Sequence, residues 1–166
     1  MVFGLPNSGK TSIILALKGE KNLMTYFSLK PTLGIDIQKY IEETEDFYIW
    51  DFGGQERFRE NYLKELPKHL DGADQIIYVI DVQKTDEYEL ACDYLNQILE
   101  IEDAKTVELI IYLHKYDPFL ELEPNHKVNQ KIAEYLPKIK NMLEKEEISF
   151  KIFKTSIFTQ FRKLPV

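Results

Sequence analysis

The sequence predicts an α/β domain built on a mostly parallel sheet, and three observations carry that expectation. Strand-like and helix-like segments alternate along the 166 residues. Two of the strand-like segments, "QIIYVIDV" (75–82) and "VELIIYLH" (107–114), are continuous apolar runs. Strands buried on both faces of a parallel sheet have that composition. The stretch "GLPNSGKTS" (4–12) lies between an apolar stub, "MVF", and an apolar helical segment. Gly-rich turns of this kind join a strand to a helix in nucleotide-binding α/β units.

Taken in order, the stub before Gly4 is a short first strand, and 10–19 has a helical pattern. The segment 20–34 shows no period and holds Pro31 and Gly34, so a long loop is expected there. "IDIQKYIEE" (35–43) alternates apolar and polar residues, as an edge strand does, and "DFYIWDF" (46–52) follows after a short acidic turn. These two predict an antiparallel hairpin. Helical patterns cover roughly 57–70, 86–101 and 126–145, and Pro137 should kink or split the last. "ISFKIFKTS" (148–156) is expected as the last strand. The first strand is short and only ten residues follow Ser156, so both ends look cut. The expectation is one domain over 1–166, part of a longer chain.

Composition narrows the function classes. A formal net charge of -7, from 28 acidic and 21 basic residues, argues against nucleic acid or an anionic membrane surface as a general partner. The one cysteine, Cys92, rules out an internal disulfide framework and sits in a helical segment as a packing residue. No apolar stretch is long enough to span a bilayer. Gly does not follow Met1, and no cysteine stands near the end, so no lipid anchor is visible. A cytoplasmic location is expected, with any membrane association coming through partners.

The chemistry concentrates at predicted strand ends. G-x-x-x-x-G-K-[ST] runs from Gly4 to Thr11. Its backbone N–H groups can point at phosphate oxygens, with the positive end of the following helix at the same place. Gly4, Asn7, Ser8, Gly9, Lys10, Thr11 and Ser12 are therefore candidate phosphate-binding residues. Lys10 would supply charge to the β/γ-phosphates and Thr11 a hydroxyl to Mg²⁺. In "WDFGGQE" (50–56), Asp51 is placed to hold Mg²⁺ directly or through water. Gly53 and Gly54 would let the backbone meet a γ-phosphate, and Gln55 could orient an attacking water. In "HKYD" (114–117), Asp117 could accept from guanine N1–H and the exocyclic amine. Lys115 would lie along the base or brace the phosphate loop. In "KTSIF" (154–158), a backbone N–H near Ile157 could reach guanine O6. A simple turn remains the alternative for each of the last three stretches in isolation.

With these motifs in one order, the sequence resembles the Ras-like small GTPases over nearly its whole length. That resemblance implies a six-stranded, mostly parallel sheet with one antiparallel edge strand, helices on both faces, and GTP or GDP with Mg²⁺ at the carboxyl edge. It also implies a role for Thr32, in "KPTLGID", on Mg²⁺ and the γ-phosphate, and base-side roles for His114 and Ser156 beside Asp117. Within the superfamily, "WDFGGQE" resembles the Arf and Rag branches. His114 in place of Asn, "FRENY", "IIYVIDVQ" and "TSIF" look most like Rag-type domains. His114 puts one hydrogen bond to the phosphate loop in doubt, and Pro6 falls where many relatives carry Gly. The implied function is a switch that hydrolyses GTP slowly and works with effector, GTPase-activating and exchange proteins, and through pairing with a related GTPase. The arginines are Arg57, Arg59 and Arg162, none in the first switch, so no arginine finger in cis is visible. Two rivals stay open: a nucleotide-loaded scaffold that does not hydrolyse, and a P-loop kinase or ATPase.

Overall fold

The computed structural model describes residues 1–42 and 45–158. The acidic turn at 43–44 and Arg162 lie outside the described residues. The strands are β1 (Val2–Gly4), β2 (Ile35–Glu42), β3 (Glu45–Phe52), β4 (Gln75–Asp81), β5 (Glu108–His114) and β6 (Phe150–Thr155). They form one sheet in the order β2-β3-β1-β4-β5-β6. Only β2 runs antiparallel, pairing with β3 from Ile35↔Phe52 to Glu42↔Glu45. The expected six-stranded mixed sheet with one antiparallel edge is the one observed.

The helices are α1 (Lys10–Leu17), α2 (Leu23–Phe27), α3 (Glu56–Leu70), α4 (Tyr88–Leu99), α5 (Glu102–Lys105), α6 (Pro118–Leu122) and α7 (Lys127–Lys145). Both faces of the central strands are covered, which explains their unbroken apolar runs. Val2 and Val79 meet Ile13 and Ile14 of α1 on one face. Phe3, Phe52, Tyr78, Ile80, Leu109 and Ile111 enter the larger core on the other, with Leu66 of α3, Leu95 and Ile98 of α4, and Leu143 of α7. Each such fully buried side chain contributes about 1.5–3 kcal/mol of transfer free energy.

Four elements depart from expectation, one of them the short α6, which no helical pattern announces. The loop 20–34 contains α2, one turn held by Asn22, whose side chain accepts from the Met24 N–H at 3.0 Å. No residue of α2 is buried, so no apolar period announces it. The helix over 86–101 ends at Leu99, and the chain re-enters as the short α5. Pro137 does not split α7. Val128 and Ile132 before it, and Ile139 and Leu143 after it, are all buried on one stripe. Packing of both halves on the same sheet outweighs the lost backbone donor, which in an exposed helix costs about 3 kcal/mol.

Candidate functional site

The turn from β1 into α1 is shaped by its backbone. Asn7 sits at φ 59° and Gly9 at φ 96°, so the chain wraps around its own amides. Gly9 is the N-terminal cap of α1, with no side chain capping it and no acidic residue in the first turn. The helix's unpaired N–H groups therefore face the cleft, and their partial positive charge favours an anion there. Lys10 is buried, its Nζ donating to the carbonyls of Gly4 (3.0 Å) and Leu5 (2.8 Å). Burial pulls its pKa down to about 8, against the opposing pull of Asp51. An ammonium held this way gains most from an anion placed beside it.

Asp51, at the end of β3, is fully buried. Its Oδ2 accepts from the hydroxyls of Thr11 (2.5 Å) and Thr32 (3.2 Å), which stand 3.1 Å apart. Its Oδ1 has no partner among the described residues, and burial raises its pKa although the Thr11 hydrogen bond and Lys10 oppose this. A buried carboxylate with one orphaned oxygen beside two hydroxyls fits a hard divalent cation completed by phosphate and water. These residues fit Mg²⁺, the ion this fold family implies.

The glycines of "GGQ" close the site rather than open it. A Cβ on Gly54 would meet the Leu5 carbonyl at 2.6 Å and the Pro6 nitrogen at 2.5 Å, and one on Gly53 would run into the Thr32 carbonyl. The Gly34 carbonyl accepts from Gly53 N–H (3.0 Å) and from the Tyr62 hydroxyl of α3 (2.9 Å), tying the 32–34 loop to both. Gln55 caps α3 with its backbone, and its Oε1 accepts from Arg57 Nε at 3.2 Å. Arg59 is buried, donating to the Gly54 carbonyl at 3.3 Å with its guanidinium over the Tyr94 ring.

A cleft of about 450 Å³ runs between these loops, its walls including Asn7, Gly9, Lys10, Thr11, Ser12, Thr32, Gly54, Gln55 and Lys115. Gly4 and Ser8 are buried, and the buried Asp51 lies behind Thr11 and Thr32 of its wall. At the other end, Lys115 takes the bracing role of the two expected for it, donating to the Asn7 carbonyl (2.8 Å) and to Asp81 (2.6 Å). His114 is buried with its ring against Gly9, where a Cβ would meet Nε2 at 2.7 Å. The ring's one hydrogen bond among the described residues joins Nδ1 to Thr155 Oγ1 at 2.9 Å. Packing thus replaces the hydrogen bond to the phosphate loop that the His substitution put in doubt. Burial first, and Lys115 second, lower the His114 pKa to about 4, so the imidazole is neutral near pH 7. Asp117 accepts from Ser156 Oγ at 2.5 Å, and Ile157 follows, partly exposed.

The model of the ADP-ribosylation factor family matches residues 1–162. The chain belongs to that family. ADP-ribosylation factor 1 of Brassica rapa subsp. pekinensis is 31% identical over 117 residues, 70% of this chain and 60% of its own length. ADP-ribosylation factor-like protein 8c of Arabidopsis thaliana is 31% identical over 129 residues, 76% of this chain and 65% of its own length. The match spans about 60% of the length of such curated relatives. Among solved structures, that of the Arl6 BBS3 small GTPase of Trypanosoma brucei with the nucleotide analogue GppNp has a TM-score of 0.70. It is 20% identical and covers 93% of this chain and 84% of that one, a likeness of fold. These relatives carry Arf and Arf-like names, and the leaning towards Rag-type domains finds no support in them.

In this member of the ADP-ribosylation factor family, two polar residues at the carboxyl end of β4 escaped the sequence reading. Asp81 is buried and holds Lys115, and Gln83 touches Asp117. The signal was present, because ligands of open α/β sheets gather outside the carboxyl ends of strands. "IDVQ" ends the strand next to the one that leads into "HKYD".

Proposed function

We propose that this chain is a guanine-nucleotide switch that binds GTP or GDP with Mg²⁺ and hydrolyses GTP slowly. One observation carries it: a single cleft is lined by the 6–12 turn, the 29–32 loop, the "GGQ" turn and Lys115, with the buried Lys10 cation and the orphaned Asp51 oxygen against it and Asp117 two residues beyond Lys115. Membership of the ADP-ribosylation factor family supports it. Lys10 and the amides of the first turn of α1 would neutralise charge on the phosphates. Thr11 and Thr32, with Asp51 behind them, would hold Mg²⁺, which shields phosphate charge when bound. Gln55 would place the attacking water once Arg57 releases its amide. Asp117 would accept from the guanine edge, with Ser156 fixing it and the Ile157 backbone beside it.

Slow turnover follows from the arginines. Arg57 is engaged by Gln55 and Arg59 by the Gly54 carbonyl, and neither lines the cleft proposed to hold the phosphates. An arginine supplied in trans raises such rates by about 10³–10⁵-fold. An activating partner, exchange and effector proteins, pairing with a related GTPase, and a cytoplasmic location belong to the same proposal. No described helix is long and apolar enough to cross a membrane.

Calorimetry with Mg²⁺ and GDP, GTP or ATP tests the assignment. Guanine nucleotides should bind at least tenfold more tightly than ATP, and equal affinity would overturn the base assignment. Single-turnover hydrolysis then separates switch from scaffold. Gln55→Leu should leave GTP affinity nearly unchanged and slow hydrolysis, most of all with an activator present.

A further inference from the structure

Gln83 stands two residues beyond β4, exposed, in a turn that the phosphate chemistry does not use. Its Nε2 donates to Asp117 Oδ2 at 2.8 Å and to the Lys115 carbonyl at 3.0 Å. Its own backbone N–H is held by Asp81 Oδ1 at 3.0 Å, while the other oxygen of Asp81 holds Lys115. The end of β4 thus grips the 115–117 segment at its lysine, its carbonyl and its carboxylate.

Asp117 shows why such a grip matters. It occupies the N-terminal cap position of α6, where an Asp side chain ordinarily accepts from the helix's own N–H groups, yet it makes no such bond. Its oxygens are turned instead to two donors, Ser156 on Oδ1 and Gln83 on Oδ2. A carboxylate rotates almost freely about its terminal torsion. One donor on each oxygen fixes its plane and leaves lone pairs on both oxygens for a ligand carrying two adjacent N–H donors. Gln suits this place because its amide donates without charge; a carboxylate there would repel Asp117.

We propose that Gln83 is a positioning residue for base recognition, aiming the Asp117 carboxylate so that both its oxygens meet the guanine edge. This rests on the assignment of Asp117 to guanine. The test measures binding of GDP, IDP and ADP with Mg²⁺ to the full chain and to Gln83→Leu, Gln83→Glu and Asp117→Ala. IDP keeps the ring N–H and lacks the exocyclic amine, so the GDP:IDP ratio reports how well both oxygens are aimed.

Wild type should favour GDP over IDP by about tenfold, and Asp117→Ala should abolish that preference. Gln83→Leu should weaken GDP on the order of tenfold and IDP less, narrowing the ratio, with ADP unmoved. Gln83→Glu should narrow it further. The side chain is exposed, so both variants should melt with the wild type, and if Leu misfolds the Glu variant decides. Equal losses for GDP and IDP, or an unchanged ratio in the Gln83 variants while Asp117→Ala collapses it, would overturn the proposal and leave the guanine assignment standing. A wild-type ratio in Asp117→Ala would overturn both.

Discussion

The two ends of the cleft are built by opposite means. At the end proposed for phosphate, Lys10 and Asp51 are buried, and burial moves their proton affinities: Lys10 down, Asp51 up. At the base end the groups are wetter, and Gln83, Lys115, Asp117 and Ser156 hold one another by side-chain hydrogen bonds. Burying charge costs folding free energy that only a bound ligand offsets, whereas a solvated network keeps its shape at little cost. On the proposed function, the phosphate end would couple binding to stability, and the base end would select. His114 lies at the seam, buried like the first and hydrogen-bonded by its side chain, to Thr155, like the second.

The sharpest way to break this contrast is Lys10→Met. Nucleotide affinity should fall by at least 100-fold, because the proposed function makes Lys10 the buried side-chain cation beside the phosphates. The ligand-free protein should nonetheless become more stable. Burial holds the folded-state pKa of Lys10 down at about 8 against an ordinary value of 10.5, so its charged form is disfavoured in the folded chain below pH 8. Wild-type stability should rise between pH 8 and 10.5 as the unfolded state holds the extra proton, by about 3 kcal/mol in all. The variant should lack that rise and melt several degrees higher at pH 7. Denaturant titrations across this range showing equal slopes would break the comparison.

His114→Asn probes the seam. The folded pKa is about 4 and the ordinary value 6.5, so the unfolded chain binds the proton first as pH falls. Wild-type stability should drop between pH 6.5 and 4, by about 3 kcal/mol from this group alone. The Asn variant should lose that contribution and show a flatter acid limb. Thr32→Ala gives the smallest effect, a roughly tenfold loss of GTP affinity with GDP spared, since one charge-assisted contact to the γ-phosphate is removed. A parallel loss for GDP would show that Thr32 supports the loop and not the ligand.

Sequence made the strands and the loop chemistry legible for different reasons. β4 and β5 announce themselves because burial on both faces demands unbroken apolar runs. The stretches around Lys10, Asp51 and Asp117 do so because their chemistry needs fixed spacing at strand ends. What stayed hidden depends on contact across the fold. α2 rests on one capping bond from Asn22, and α7 survives Pro137 through packing that no local rule sees. Gln83 meets Asp117 across a separation of 34 residues, so neither position reveals the other until the sheet brings β4 and β5 together.

The carbonyl of Gly34 serves two donors from different places, the start of the "GGQ" turn and a phenol on the next helix. Lifting the 32–34 loop strands both at once. The Tyr62 hydroxyl belongs to a buried residue packed against Phe52 and Phe58, and the bond it makes to Gly34 is itself partly buried. A buried donor left unsatisfied costs about 1–3 kcal/mol, and less where water reaches it. The two loops thus share one acceptor, and moving the 32–34 loop by itself leaves a donor on each side without its partner.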